Sequence, residues 1–248
     1  MKRADGRAPE QLRSARLETG FQRFPEGSVL YTCGGTRVLI AASVEEGVKE
    51  FLRGSGRGWV TAEYAMHPRA SQQRQRRESR NQLGGRSHEI QRFVGRSLRG
   101  VLVREKLGER QVSIDCDVLD ADGGTRTAAV SGGFVALSLA LEGLRRRGVV
   151  GAGVLREPVA AISVGIVHGE PMLDLCYTED RDAQIDLNLV GTESGRLIEL
   201  QGTAEGAPID RIDLDGLVEL ASQAIPKLAQ LQREVLDKAG VDLGKLLA

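Results

Sequence analysis

Alternating apolar and polar positions predict a chain rich in β-strands. Residues 27–33 (GSVLYTC) and 37–43 (RVLIAAS) alternate in this way, and the GGT between them is a turn signal, so the two segments predict a hairpin. The same reasoning predicts further strands at 58–66, 111–122, 159–167, 171–177, 185–191 and 196–202.

Apolar residues at helical spacing predict three helices. The first runs from 86 to 105 and has a single apolar stripe, formed by Ile90, Phe93, Val94, Val101 and Leu102. The second covers residues 128–144 with little side-chain bulk, and an amphipathic third covers 213–238. Strand–turn–strand units at 28–43 and 186–203 echo one another and are followed by helices. This order predicts an α+β protein of two similar halves, with helices covering one side of the strands.

Length and composition are consistent with that architecture. The chain has 248 residues, of which 41% are hydrophobic and 27% charged, as expected for one large domain or two halves that share a sheet system. No run of about 18 apolar residues is evident, so we expect no membrane span. The three cysteines are widely spaced in apolar surroundings. They predict free thiols in a reducing compartment, and therefore a cytoplasmic protein.

The charges are unevenly distributed although they balance, with 34 basic and 34 acidic residues. Ten arginines lie between 69 and 104 against two glutamates, which leaves that segment near +8 and the remainder near −8. Within it, residues 67–80 contain five arginines and no large apolar side chain. We call this segment the arginine arm. Its composition predicts a solvated loop or a surface that binds a partner, and arginine suits phosphate groups in particular.

A glycine turn at residues 120–126 (DADGGTR) precedes the second helix. Gly123 and Gly124 permit a tight turn, Thr125 is a candidate helix cap, and the free amides of a first helical turn attract anions. Arg126 adds a guanidinium fork that suits phosphate oxygens. The segment also fits a second interpretation, in which small residues simply let the helix pack closely on a sheet. The sequence leaves both interpretations open.

Carboxylates are concentrated in CYTEDRDAQIDLNLV, residues 176–190. In the strand predicted there, Asp186 and Asn188 lie on the face opposite the leucines, while Glu179, Asp180 and Asp182 precede them in a predicted loop. Clustered carboxylates repel one another unless a cation or an arginine neutralises them, and one or two carboxylates with a substrate phosphate are a usual Mg²⁺ arrangement. The alternative is a solvated acidic loop.

Six segments in one order resemble signature segments of the ribonuclease PH family. They are RADGR (3–7), GWVTAEYAMHPRA (58–70), GGRSHEIQRFVGRSLR (84–99), DGGTRTAAVSGG (122–133), YTEDRDAQIDLNLV (177–190) and ELQGTAEG (199–206). The resemblance implies an α+β fold of two pseudo-repeated β–α units of the ribosomal protein S5 domain 2-like type. Residues 1–248 would form a single domain, with core halves at about 10–145 and 155–240.

The resemblance also implies an activity. A chain of this family is a phosphorolytic 3′→5′ exoribonuclease and tRNA nucleotidyltransferase. It removes 3′ nucleotides from transfer RNA precursors and other RNA 3′ ends with inorganic phosphate, releases nucleoside diphosphates, and adds nucleotides in reverse. The expected assembly is a homohexamer, a trimer of dimers, with no membrane association.

Matching the motifs position by position implies the site residues. The expected phosphate-binding residues are Arg86, Gly124, Thr125 and Arg126. Asp180 and Asp186 are the expected catalytic residues and ligands of Mg²⁺. The expected RNA-binding residues are Arg69, Arg74, Arg76, Arg77 and Arg80. Arg92, Arg96 and Arg99 fall in a helix with roles in subunit pairing and structure.

Two other functions and two departures from the family pattern stay open at this point. The other functions are a non-catalytic RNA-binding ring subunit and a degrader of messenger RNA like polynucleotide phosphorylase. The first would have lost the phosphate arginines or the aspartates, and the second usually carries extra RNA-binding domains. The departures are Arg181 and Gln184, which stand where the family has a small and an acidic residue and would weaken a second metal site.

Overall fold

The first half of the molecule is a five-stranded sheet with helices on one face. The computed structural model describes residues 3–78 and 84–248. The sheet has the order β1-β2-β3-β5-β4, and all its pairs are antiparallel except β4 with β5. Its strands are β1 (Ala15–Thr19), β2 (Gly27–Cys33), β3 (Thr36–Glu46), β4 (Trp59–Met66) and β5 (Arg110–Asp120). A short 3-10 helix at Glu50–Leu52 precedes β4, and the helices are α1 (Gly85–Gly100), α2 (Arg104–Leu107) and α3 (Thr125–Arg146).

The second half is a four-stranded antiparallel sheet in the order β7-β6-β8-β9. Its strands are β6 (Val159–Val167), β7 (Glu170–Leu173), β8 (Ala183–Thr192) and β9 (Leu197–Ala204). The helices are α4 (Tyr177–Asp182), α5 (Arg211–Lys238) and α6 (Leu243–Leu246). The α+β fold class is therefore confirmed, with a sheet and its covering helices in each half.

Helix α3 joins the two halves because it packs against β2 and β3 on one side and β6 on the other. Its small residues make this possible. A Cβ atom at Gly132 would meet the terminal methyl of Ile40, which would have to shift, so glycine lets the helix lie this close to the sheet without displacing that side chain. Helix α5 covers β6 and β8 in the same way, over a smaller apolar cluster. The close-packing interpretation of the glycine- and alanine-rich segment thus holds for the body of α3.

The same helix bears on the expectation that the chain has no membrane span. By length and composition alone, Thr125–Arg146 is apolar enough to cross a bilayer, although no such segment was expected from the sequence. In the structure, 89% of the most apolar stretch of this helix is buried inside the protein, as in a core helix. Its apolar composition is therefore accounted for by packing between the two sheets.

Two predicted elements end well before their predicted ends, and one strand was not predicted. The helix predicted over 86–105 ends at Gly100, because Val103 N–H donates to Val154 O and draws the chain away before α2 begins. The strand predicted over 171–177 ends at Leu173, and the following residues form α4. Strand β1 was not predicted. It is a five-residue edge strand whose pairing with β2 supplies order that its short pattern does not.

Candidate active site

A cleft of about 660 Å³ lies where the two halves meet. The glycine turn, the start of α1 and the beginning of the arginine arm line it from the first half, while β6, α4 and β8 line it from the second. Among its lining residues are Arg86, Gly124, Thr125, Arg126, Asp180, Asp186 and Asn188. All the residues matched to the phosphate and metal sites therefore line a single cleft, although as many as 100 positions separate them in sequence.

The glycine turn presents the N-terminus of α3 to this cleft. Gly123 and Gly124 have φ angles of 75° and 68°, in the left-handed region that glycine adopts at little cost. The bond from Ala128 N–H to Gly124 O, 3.0 Å long, begins the hydrogen bonding of the helix. The preceding amides have no carbonyl one turn back to bond, so they carry the partial positive charge that binds anions at helix ends.

In the structure, Thr125 and Gly123 have roles in the turn that differ from those predicted. Thr125 is not a cap. It is the first residue of α3, and its buried hydroxyl lies 2.8 Å from the Tyr64 hydroxyl. A Cβ atom at Gly123 would collide with Leu175 O and lie 2.8 Å from the carbonyl carbon of Cys176. Gly123 therefore allows the chain leading into α4 to pack directly on the turn.

Arg126 is held by two residues that the sequence analysis did not single out. Its Nη1 donates to Gln201 Oε1 at 2.7 Å and lies 3.5 Å from Glu89 Oε1, and Gln201 Nε2 donates to the same glutamate oxygen at 2.8 Å. The Arg126 side chain is 16% exposed. Both partners lie inside segments that carried the family resemblance, which was the only signal that could have found them. The network fixes the guanidinium at the cleft wall.

Asp186, which is partly buried, and Asp180, which is more exposed, form a carboxylate pair near Arg86 and Arg126. Burial, together with the charge of Asp180, raises the pKa of Asp186 to about 6, against the pull of Arg126 and Arg86. Burial also raises the pKa of Asp180, and the same arginines oppose the change. Asn188 Nδ2 lies 3.5 Å from each oxygen of Asp186. A cation at the pair would favour the charged forms of both carboxylates and relieve the repulsion by Asp180 that contributes to the raised pKa of Asp186.

The other carboxylates of the predicted cluster lie elsewhere, which corrects that expectation. Glu179 is buried against Arg3, and Asp182 forms an exposed pair with Arg181. The described residues contain no group of three or more Asp, Glu, His or Cys side chains that could hold a metal. Gln184 bonds the Gly169 N–H at 2.8 Å, and neither it nor Arg181 is among the residues that line the cleft. The two departures from the family pattern therefore lie outside the aspartate pair.

The arginine arm contributes uncharged side chains to the cleft. Ser71, Gln72, Gln73 and Gln75 line it, and these residues were not predicted. The four described arginines of the arm are exposed and do not line the cleft: Arg69, Arg74, Arg76 and Arg77. Arg80 lies outside the described residues. The arm is anchored at both described ends, since Ala70 O accepts Ala121 N–H at 2.8 Å and Glu78 accepts Ser87 Oγ at 2.5 Å.

Two arginines of α1 make contacts within the chain. Arg96 pairs with Glu199 on β9, which ties the first half to the second. Arg99 stacks over the Trp59 ring, 4.2 Å from its centroid, and donates to Val60 O at 2.8 Å. Arg92 is exposed. The structural role expected for this helix therefore has a physical basis in Arg96 and Arg99, whereas its role in subunit pairing stays a prediction.

Comparison with known sequences identifies the family. Models of the 3′ exoribonuclease family match residues 11–141 (domain 1) and 157–224 (domain 2). The ribonuclease PH of Syntrophomonas wolfei is 50% identical over 237 residues, covering 95% of this chain and 99% of that protein. The ribonuclease PH of Crocosphaera subtropica is 53% identical over 237 residues, covering 96% and 98%.

Solved structures agree in fold. Rice Rrp46 superposes with a TM-score of 0.76 at 20% identity, covering 94% of this chain and all of that one. A chain of the Archaeoglobus fulgidus exosome, solved with RNA bound to the active site, also gives 0.76 at 20% identity, with 92% of each chain covered. With both family domains and nearly full-length relatives matched, the chain belongs to the ribonuclease PH family and is a phosphorolytic 3′→5′ exoribonuclease.

Proposed function

We propose that the cleft removes 3′-terminal nucleotides from transfer RNA precursors by attack of inorganic phosphate, and adds nucleotides from diphosphates in the reverse direction. One observation supports this proposal above the others. The N-terminus of α3 and two arginines, Arg86 and Arg126, share a cleft with the carboxylate pair of Asp180 and Asp186. An anion site beside a candidate cation site is what the transfer of a nucleotide to phosphate requires.

The chemistry explains why so much positive charge is needed. An oxygen of inorganic phosphate bonds to the phosphorus of the last phosphodiester while the bond from that phosphorus to the 3′ oxygen breaks. The products are a nucleoside diphosphate and an RNA one nucleotide shorter, whose 3′ oxygen takes up a proton. Two anions must meet in a poorly hydrated site, where their repulsion is large. In this proposal Arg86, Arg126 and the α3 amides, all at the cleft, hold the attacking phosphate and offset that repulsion.

The carboxylate pair fits Mg²⁺ as the expected cation. Mg²⁺ prefers oxygen ligands and commonly uses one or two carboxylates together with substrate phosphates, which matches Asp180 and Asp186 without a third protein carboxylate. When bound, Mg²⁺ would act as a Lewis acid and neutralise negative charge on the phosphate oxygens around the reacting phosphorus. The chain itself contributes the two oxygen donors and the Asn188 amide beside Asp186. Among the described residues that line the cleft none is a histidine, consistent with a nucleophile that is already anionic.

The remaining walls of the cleft suit the RNA end. Tyr177 is 56% exposed and lines the cleft, where it offers an aromatic face on which a terminal base can stack. Gln72, Gln73 and Gln75 offer amide groups to bases, sugars or phosphates without adding charge. We propose that the exposed arginines of the arm extend this contact along the transfer RNA, beyond the reach of one cleft.

We also propose an oligomeric state and a cellular location for the protein. The arms of adjacent subunits in a homohexamer, a trimer of dimers, would together hold the acceptor stem. The three cysteines are free, with Cys33 and Cys116 buried, which fits a protein of the reducing cytoplasm.

The proposal is tested by the phosphate requirement. A 3′-tailed transfer RNA incubated with the protein and Mg²⁺ should lose nucleotides only when inorganic phosphate is present, and the product should be nucleoside diphosphate, identified by chromatography. Excess nucleoside diphosphate should lengthen the RNA. Release of monophosphates at an undiminished rate without phosphate would contradict the proposal, because water would then be the nucleophile. A chain that binds RNA but releases nothing under either condition would be a non-catalytic subunit.

The arginine arm gives a separate prediction. Changing Arg69, Arg74 and Arg77 to Ala should weaken transfer RNA binding and reduce its salt dependence. Each lost phosphate contact lowers the log–log slope against salt by roughly 0.7 to 0.9. Phosphorolysis of a very short RNA should continue, since these arginines do not line the cleft. The measurement is a binding titration at several salt concentrations.

The matched control removes the same charge elsewhere. Arg16, Arg147 and Arg211 are also exposed, and replacing all three with Ala should leave both the affinity and its salt slope nearly unchanged. If the arm variant binds transfer RNA normally but elutes as a smaller particle on gel filtration, the arm serves assembly and its RNA-binding role is wrong.

A further inference from the structure

The first described residues of the chain run beneath the cleft with their arginine side chains buried, although most of the segment is exposed. We call residues 3–13 the N-terminal strap. Its three arginines, Arg3, Arg7 and Arg13, have side chains that are at most 8% exposed. Burying charged side chains is costly even when they are paired, and such pairs are weak contributors to net stability. Three buried arginines in one short segment therefore call for an explanation in terms of geometry.

Arg3 acts on the helix that carries Asp180. Its Nε and Nη2 donate to the two oxygens of Glu179 at 2.7 and 2.6 Å, while Nη1 donates to Leu173 O at 2.8 Å. Glu179 in turn accepts the N–H of Cys176, the N-cap of α4, at 3.0 Å. The two-pronged pairing of Arg3 with Glu179 thus fixes both the chain that enters α4 and Glu179, the third residue of that helix. Asp180 is the next residue, so its position follows from this pair.

Arg13 acts on the glycine turn. Its Nη1 donates to Asp122 O at 2.6 Å, one residue before Gly123, and its Nη2 and backbone N–H bond the two carboxylate oxygens of Asp174 at 2.6 and 2.8 Å. A Cβ atom at Gly124 would lie 3.0 Å from Arg13 Nη2, so the guanidinium packs directly under the turn.

Asp174 is the point where these contacts converge. It is 3% exposed and has a φ of 56°, a strained conformation for a residue other than glycine. Arg13 bonds its side chain, and Arg3 and Arg7 donate to its carbonyl oxygen at 3.0 and 3.1 Å. Strain of this kind persists only where the surroundings impose it. Asp122 closes the arrangement, since its Oδ1 accepts Tyr177 N–H at 3.2 Å and so links the turn to the first residue of α4.

We propose that the N-terminal strap sets the spacing between the two parts of the catalytic centre: Arg3, through Glu179, positions Asp180, and Arg13, through Asp122, positions the anion-binding turn. These arginines are positioning residues, because they lie beneath the cleft and do not line it. The inference rests on the roles proposed above for Asp180 and the glycine turn. It predicts that substitution of Arg3 weakens Mg²⁺ binding, whereas substitution of Arg13 weakens phosphate binding.

The test measures binding of Mg²⁺ alone and of inorganic phosphate alone by calorimetry, alongside kcat and KM, on full-length variants. Arg3→Lys and Glu179→Gln keep the polar character but lose the two-pronged pairing. They should weaken Mg²⁺ binding and lower kcat about 10-fold or more, with phosphate binding changed less than about twofold. Arg13→Lys should show the opposite pattern, with weaker phosphate binding and nearly normal Mg²⁺ binding. Combining Arg3→Lys with Glu179→Gln should cost no more than either alone, because the two residues act as one unit.

Controls separate this inference from a general loss of stability and from the proposed function. Arg233 forms a comparable fork with Glu193, at 2.7 and 2.5 Å, and neither residue lines the cleft, so Arg233→Ala should change neither binding constant. If the strap variants fold and keep both binding constants, or if both constants weaken together in every strap variant, the positioning role is overturned. Asp180→Asn is measured in parallel. Intact Mg²⁺ binding and turnover in that variant would overturn the proposed function itself, whereas their loss with unaffected strap variants would overturn only the strap.

Discussion

Replacing either cleft aspartate with asparagine is expected to lower phosphorolytic turnover roughly 100- to 1,000-fold, the effect of losing several kcal/mol of metal-mediated stabilisation. Asp180→Asn and Asp186→Asn each remove one anionic oxygen donor from the pair while keeping the size of the side chain. Transfer RNA affinity in the absence of Mg²⁺ should change little, because neither residue neutralises the RNA backbone. Single-turnover rates and a binding titration on the same preparations measure the two effects separately.

Stability provides the control for these variants. The pKa of Asp186 is raised to about 6, so the fold disfavours its charged form. That cost is absent while the group is protonated in both folded and unfolded states, and it grows as the pH rises from about 4 to 6. Without Mg²⁺, Asp186→Asn should therefore melt at a higher temperature than the parent at pH 7, and the difference should shrink towards pH 4.5.

Two results would contradict this account. Near-normal turnover in either asparagine variant would mean that the carboxylates form only a solvated acidic loop, which is the alternative interpretation. A variant that is both inactive and strongly destabilised at pH 7 would mean that the aspartate supports the fold, since the pair is expected to cost stability when no cation is bound.

Arg126→Ala is expected to raise the KM for inorganic phosphate about 10- to 100-fold, because a lost hydrogen bond to a charged group costs roughly 1.5–3 kcal/mol. The guanidinium is already held by Gln201 and Glu89, so little of its orientation has to be established when phosphate arrives. Arg126→Lys should recover only part of the loss, since an ammonium group cannot bind phosphate through two parallel bonds. Initial rates over a range of phosphate concentrations measure this effect.

A neighbouring arginine serves as the matched control. Arg96 also bridges the two halves, through Glu199 on the same strand as Gln201, but it does not line the cleft. Arg96→Ala should leave the phosphate KM within about twofold of the parent value. An unchanged phosphate KM in Arg126→Ala, or an equal change in both variants, would remove Arg126 from the phosphate site.

Local patterns in the sequence determined most of the strands, the larger helices and, in those strands, which face each side chain occupies. Strand β8 illustrates this, because a two-residue period alone places Asp186 and Asn188 opposite Ile185, Leu187 and Leu189. The structure confirms that division: the three apolar residues lie in the core cluster beneath α5, and the two polar residues line the cleft. The period of a β-strand is a property of neighbouring residues, so no distant contact is needed to predict it.

Only the tertiary structure decided which charged groups meet. Four acidic residues near one strand looked alike in sequence, yet Glu179 is bound by Arg3 from the far end of the chain and Asp182 by its neighbour Arg181. Arg126 likewise meets Gln201 and Glu89, which come from another strand and another helix. Side-chain charge acts over a few ångströms in space, and the distances in space are set by how the two sheets pack on α3. Local sequence therefore determined the kinds of groups available, and the packing of the two halves determined their partners.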